Sequence, residues 1–207
     1  MYREEAMDSL VQCLKNSDYP RSQLLAAETI MNLPGKFSSS GRPLARSTLL
    51  KLARVKERYR QPQSQELSVV RGDGGGGEDD VAGEDKAARE WERKTAYAVV
   101  SHEFGLALEA LSDCLESKNA ELFSVSLVCA VWLVHMLSLL PDTGVLGAAR
   151  VCLLRQLVLV LRSAKHGSDR ALAMVALRSF MNDRGSLIVA RASSNRSRKE
   201  LQKKVLV

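Results

Sequence analysis

The adjacent pair His102-Glu103 is the nearest approach in this chain to a catalytic or metal-binding motif. A zinc-protease helix needs a second histidine four residues after the first, so that both imidazoles reach one ion, and Leu106 stands there instead. Without that ligand the pair reads as a helix cap, an ion pair or a core hydrogen bond. His135 lies in an apolar stretch, where a histidine is ordinarily a satisfied core group bonded to a serine hydroxyl or a backbone carbonyl. Cys13, Cys114, Cys129 and Cys152 are far apart and form no C-x-x-C pair. Three of them sit in apolar helical patterns, which predicts buried, reduced thiols rather than a metal or redox centre. The run Gly72-Asp73-Gly74-Gly75-Gly76-Gly77 has the composition of a phosphate cradle but no Lys-Ser/Thr pair, and Glu78, Asp79 and Asp80 would repel a phosphate. No Ser–His–Asp or Cys–His set can be assembled. The residues therefore point to no catalytic residue, no metal site and no cofactor.

The charges do not organise a nucleic-acid site either. The net charge is +6, yet 1–60 carry 11 basic against 6 acidic groups, 61–90 carry 3 against 8, 91–185 carry 10 against 9, and 186–207 carry 6 against 1. The basic excess thus falls mostly outside the apolar core. Arg150, Arg155 and Arg162 recur at spacings of five and seven, which suits ion pairs or a solvated face better than one tight helical stripe. The basic tail, with Arg196, Arg198, Lys199, Lys203 and Lys204, could touch an acidic surface, but it lacks the aromatics that stack on bases. Nucleic-acid binding is disfavoured.

The elements that would position these residues are helices. Between Leu122 and Leu140 there is no Asp, Glu, Lys or Arg. A helix apolar all round must be buried, in a bilayer or among other helices. The run has the length of a membrane span. His135, Ser124, Ser126 and Ser138 interrupt it, however, and its flanks lack a basic anchor, so a core helix is expected rather than a span. Upstream, Tyr2–Asn16, Ser22–Leu33 and a segment from Pro43 to about Tyr59 read as helices. Asp18-Tyr19-Pro20 and Pro34-Gly35 separate them. Ala6, Leu10, Val11, Cys13 and Leu14 are expected on one face of the first, and Leu44, Leu49, Leu50, Leu52 and Val55 buried on the third. A helical pattern from Lys86 carries Trp91, Tyr97, Val100 and Phe104 to Leu115, with Gly105 marking a bend or close packing. Further helices are expected at about Val145–Ser163 and Ser168–Met181, after the turn Pro141-Asp142-Thr143-Gly144. The expected organisation is an all-α, armadillo/HEAT-like helical stack: N-terminal helical repeats at 1–60, a disordered acidic Gly-rich linker at 61–85, apolar helical repeats at 86–185 and a basic flexible tail at 186–207.

Two segments carry a resemblance. QLLAAETIMNLPGKFSSSGRPL (Gln23–Leu44) and the stretch Trp91–Leu154, with its strings SHEFG, AELFS, WLVHML and LPDTG, resemble the helical region of plant LIN/CERBERUS-type E3 ubiquitin-protein ligases. In that family armadillo-like helices accompany a U-box and WD repeats, and members are associated with root-symbiont infection and nodulation in legumes. No segment here looks like a U-box or WD strands. The resemblance therefore implies a piece of such a ligase, a truncated paralogue or an incomplete reading of the gene, and it carries over no catalytic residue.

The expected role is a non-catalytic protein-interaction scaffold that binds ligase substrates or ligase subunits. The alternatives are part of an active ligase whose U-box lies elsewhere, or a truncated decoy. Trp91, Arg93 and Tyr97 are the first candidates for partner contact, although Trp and Tyr on a helix are more often packed; Trp132 is assigned to the core. The charged N-terminal residues contain no signal-peptide h-region, and reduced thiols suit the cytoplasm or nucleus. A short stack without capping helices is further expected to self-associate or to be marginally stable.

Overall fold

The computed structural model describes residues 2–38, 41, 43–53, 78–141 and 144–181. Among these residues every named element is helical: α1 Tyr2–Lys15, α2 Pro20–Asn32, α3 Ala45–Leu52, α4 Glu78–Ser101, a short 3-10 turn His102–Gly105, α5 Leu106–Cys114, α6 Ala120–Ser138, α7 Val145–Ser163 and α8 Gly167–Met181. The breaks follow from local chemistry. Pro20 occupies the first helical position of α2, where its missing N–H costs nothing. Gly105 has φ 94° and Gly144 has φ 73°, left-handed conformations that admit the tight turns leading into α5 and α7. Asn119 caps α6, its side-chain oxygen accepting from the N–H groups of Glu121 (3.0 Å) and Leu122 (3.1 Å).

The core is built around α6. Leu127, Cys129, Ala130, Val131, Leu133 and Val134 are fully enclosed, and α2, α3, α4, α5, α7 and α8 all pack on this helix. Its apolar length is thus spent on neighbouring helices. Trp132 is 3% exposed, as a core residue should be. At one end α1 packs on α2 and α5; at the other α8 packs on α6 and α7. The short α3 is held across the stack by polar contacts. Arg46 donates to the Ser124 hydroxyl (3.1 Å) and pairs with the buried Asp169 of α8 (3.4 Å).

Several expectations are corrected. On α1 the buried stripe is Met7, Val11 and Leu14, at spacings of four and three, which turns Ala6 and Cys13 outward. The thiols accordingly divide: Cys114 and Cys129 are buried, Cys152 is half-buried and Cys13 is exposed. Leu52 is 46% exposed rather than buried, because Leu49 and Leu50 take the inward face of a helix only two turns long. The helical pattern from Lys86 begins earlier, since α4 starts at Glu78, upstream of the boundary drawn from composition. It is also two helices rather than one, broken at the Gly105 bend. Val55, most of the acidic Gly-rich linker and the basic tail lie outside the described residues.

Candidate functional site

α3, α4, α6 and the loop after α2 enclose an open groove of about 690 Å³. α4 supplies Lys86, Arg89 and Arg93, which share one helical face by their spacing of three and four. α3 contributes Thr48 and Leu52, one turn apart, α6 contributes His135 and Met136 from its last turn, and Leu139 follows as its C-cap. Lys36 comes from the loop, which is drawn shut by the bridge between Phe37 and Pro43 and by the Leu44 N–H donating to the Lys36 carbonyl (3.1 Å). Lys36 Nζ lies 2.9 Å from Glu92 Oε2, so the one carboxylate in the groove already has a cation. Four cations therefore face one satisfied acid. Beneath them a cavity of about 70 Å³ opens toward Met31, Leu44, Leu49 and Trp132, sharing the walls Lys36, Thr48, Glu92, His135 and Met136 with the groove.

The apolar parts of this groove are not sealed. Leu52 is 46% and Leu139 51% exposed, so the basic side chains border greasy surface. His135, expected among the satisfied core groups, is half-buried and forms part of the wall. Burial holds its imidazole below the usual histidine range, with the Glu92 carboxylate pulling the other way. It is therefore neutral near pH 7 and adds no charge.

The three residues singled out for partner contact do not converge. Arg93 lines the groove, its Nε donating to the Arg89 carbonyl one turn back (3.3 Å). Tyr97 continues the same side of α4, and Trp91 stands about half a turn around the helix from Arg93. Trp91 is 47% and Tyr97 40% exposed, so neither is packed away, but neither lines the groove. Lys86 and Arg89 were legible beside Arg93 as a helical stripe. Lys36, Leu52 and Leu139 were not, because only the packing of three helices brings them to that stripe.

His102 forms a hydrogen bond: its Nε2 lies 2.6 Å from Asp8 Oδ1 and ties the 3-10 turn to α1. Glu103 joins them, all three offering ligand atoms within 4.8 Å of one another, on a backbone with φ 43°. Arg150, Arg155 and Arg162 border an exposed depression along α7 together with Val151, Leu154 and Leu159, which matches a solvated face.

A stack of helices around one apolar helix, with an open groove between three of them, is an architecture of the armadillo-like class. A family model of that class, described as "Putative E3 ubiquitin-protein ligase LIN, ARM-like domain", matches residues 1–206, and the chain belongs to this family. It is 35% identical over 187 residues to "Putative E3 ubiquitin-protein ligase LIN" of Medicago truncatula and to "Putative E3 ubiquitin-protein ligase LIN-1" of Lotus japonicus, and 34% identical to LIN-2 of Lotus japonicus. Each match covers 88% of this chain and 12% of the relative, so the chain corresponds to a small part of those proteins. No solved structure matches it.

Proposed function

We propose that this chain is a non-catalytic protein-interaction scaffold of a LIN-type ubiquitin ligase, holding a substrate or a ligase subunit while ubiquitin transfer occurs on other modules. The observation that carries this reading is the basic, partly apolar groove between α3, α4 and α6, beside a core packed around α6. Grooves between stacked helices supply area for protein partners, and a few anchors in them supply most of the affinity. Membership of the ARM-like family supports the same role. The described residues suggest no thioester or acid–base chemistry.

The test is removal of the matching region from the Medicago truncatula relative. Scaffolding requires that substrate ubiquitination be lost while E2-dependent self-ubiquitination persists. Ubiquitin transfer from an E2 by the purified 207-residue chain alone would replace the scaffold with a ligase. The correspondence to a small part of longer relatives favours one second reading, a decoy: excess chain would then lower substrate ubiquitination by a full-length ligase. We place this function in the cytoplasm or nucleus, on the four free thiols, and within the legume root-symbiosis setting that the family resemblance implies.

A further inference from the structure

We infer that the groove binds an acidic peptide segment of a partner protein, carrying one medium-sized apolar side chain that enters the cavity beside Trp132. The inference rests on the scaffold reading and names the chemistry of the partner. Charge complementarity selects the sign. Lys86, Arg89 and Arg93 project from one face of α4, while Glu92, the single acid of the groove, is occupied by Lys36. A peptide of Asp and Glu would meet cations along the full wall formed by α4, and opposite potentials across an interface fix both partner and register.

The floor argues for a peptide over a nucleic acid. Leu52 and Leu139 offer aliphatic surface, and no Phe, Tyr or Trp lines the open groove for a base to stack on. The cavity behind it is lined by Met31, Leu44, Leu49 and Trp132, and at about 70 Å³ it is too large for a single water and suited to one aliphatic side chain. A desolvated apolar anchor inside a charged rim is the arrangement in which a short segment acquires most of its affinity.

The experiment uses the full chain and a fluorescein-labelled peptide, Asp-Glu-Asp-Leu-Glu-Asp-Glu, followed by polarisation. Binding is expected, weakened about tenfold or more by the double variant Arg89→Glu/Arg93→Glu and severalfold by replacing the peptide's Leu with Ser. Raising the salt from about 0.05 to 0.3 M should weaken it several-fold, as screening demands. The variant Leu159→Ser on the distant α7 face should leave it unchanged. Both protein variants lie on exposed or half-exposed positions, and their helicity and melting are checked first. Absence of binding overturns the proposal, as does binding that ignores Arg89→Glu/Arg93→Glu. A single-stranded oligonucleotide bound as tightly through the same two arginines would also overturn it. Failure here is separable from failure of the scaffold reading. If the groove variant still competes like the native chain for substrate in the full-length ligase reaction, the groove inference falls and scaffolding stands. If peptide binding follows the arginines but the native chain never competes, scaffolding falls and the groove inference stands.

Discussion

Individual side chains carry two pH-dependent expectations. Burial in α6 pushes the Cys129 thiol well above the ordinary cysteine range, and burial raises Cys114 likewise, so the folded state favours both as neutral thiols. A raised folded pKa contributes stability that is complete below the unfolded value, about 8.5, and is lost as pH rises beyond it. The melting temperature should therefore fall above about pH 9, and Cys129→Ala should flatten that decline. The same burial ranks reactivity. A thiol reagent at neutral pH should label Cys13 first and Cys152 more slowly, reaching Cys114 and Cys129 only on unfolding, as stopped-flow colorimetry would show. His135 works in the opposite direction. Its lowered folded pKa gives stability that is present above the unfolded value near 6.5 and lost as pH falls through the folded one. His135→Gln should shrink the loss of urea resistance between about pH 7 and pH 5, and an unchanged pH slope would refute this.

Helices divide into those that make the core and those that aim the groove. Leu133 is fully buried in α6, and Leu133→Ala should cost about 3 kcal/mol, read as a lower urea midpoint. Arg46 bridges α3 to Ser124 and Asp169. Arg46→Ala should cost about 1–2 kcal/mol, because Asp169 stays buried with its cation gone, and should also loosen α3, the helix that carries Thr48 and Leu52 to the groove. Gly105→Ala meets no severe clash, its nearest neighbours being 3.8 and 3.9 Å away, so its cost of about 1–2 kcal/mol would come from the left-handed backbone alone. These cases show what the sequence made legible. The uncharged run of α6, the Pro20 and Pro34-Gly35 breaks and the Gly105 bend are local signals, and the helices follow them. The buried face of α1 was misread because Cys13 and Ala6 count as apolar by type, while the actual stripe turns on Met7. Of the groove only Arg93 was named as a contact candidate, while His135 and Leu52 were assigned to the core; Lys86 and Arg89 share its helical face but were not read as a stripe. Lys36 and Leu139 are joined to it by tertiary packing across α2, α4 and α6, to which no local pattern refers.

The described residues form a short stack, and a stack buries only the faces that have neighbours. α7 packs inward on α5, α6 and α8, yet it presents Val151 at 84% exposure and Leu159 at 45% along an open depression of about 670 Å³ bordered by Arg150, Arg155 and Arg162. Apolar surface of this kind draws a second copy, whereas two such faces would bring arginines toward one another. The two effects differ in their response to salt. Near-physiological or lower ionic strength leaves the cations repelling over about 8–10 Å or more, while about 0.5 M salt screens them and leaves the apolar attraction intact. Self-association of the isolated chain should therefore increase with salt, opposite in sign to the acidic-peptide binding in the α4 groove. Sedimentation velocity across that salt range checks this, and Val151→Ser/Leu159→Ser should restore the monomer at high salt. A monodisperse monomer that melts cooperatively at every salt concentration would show that α7 is adequately solvated by its arginines.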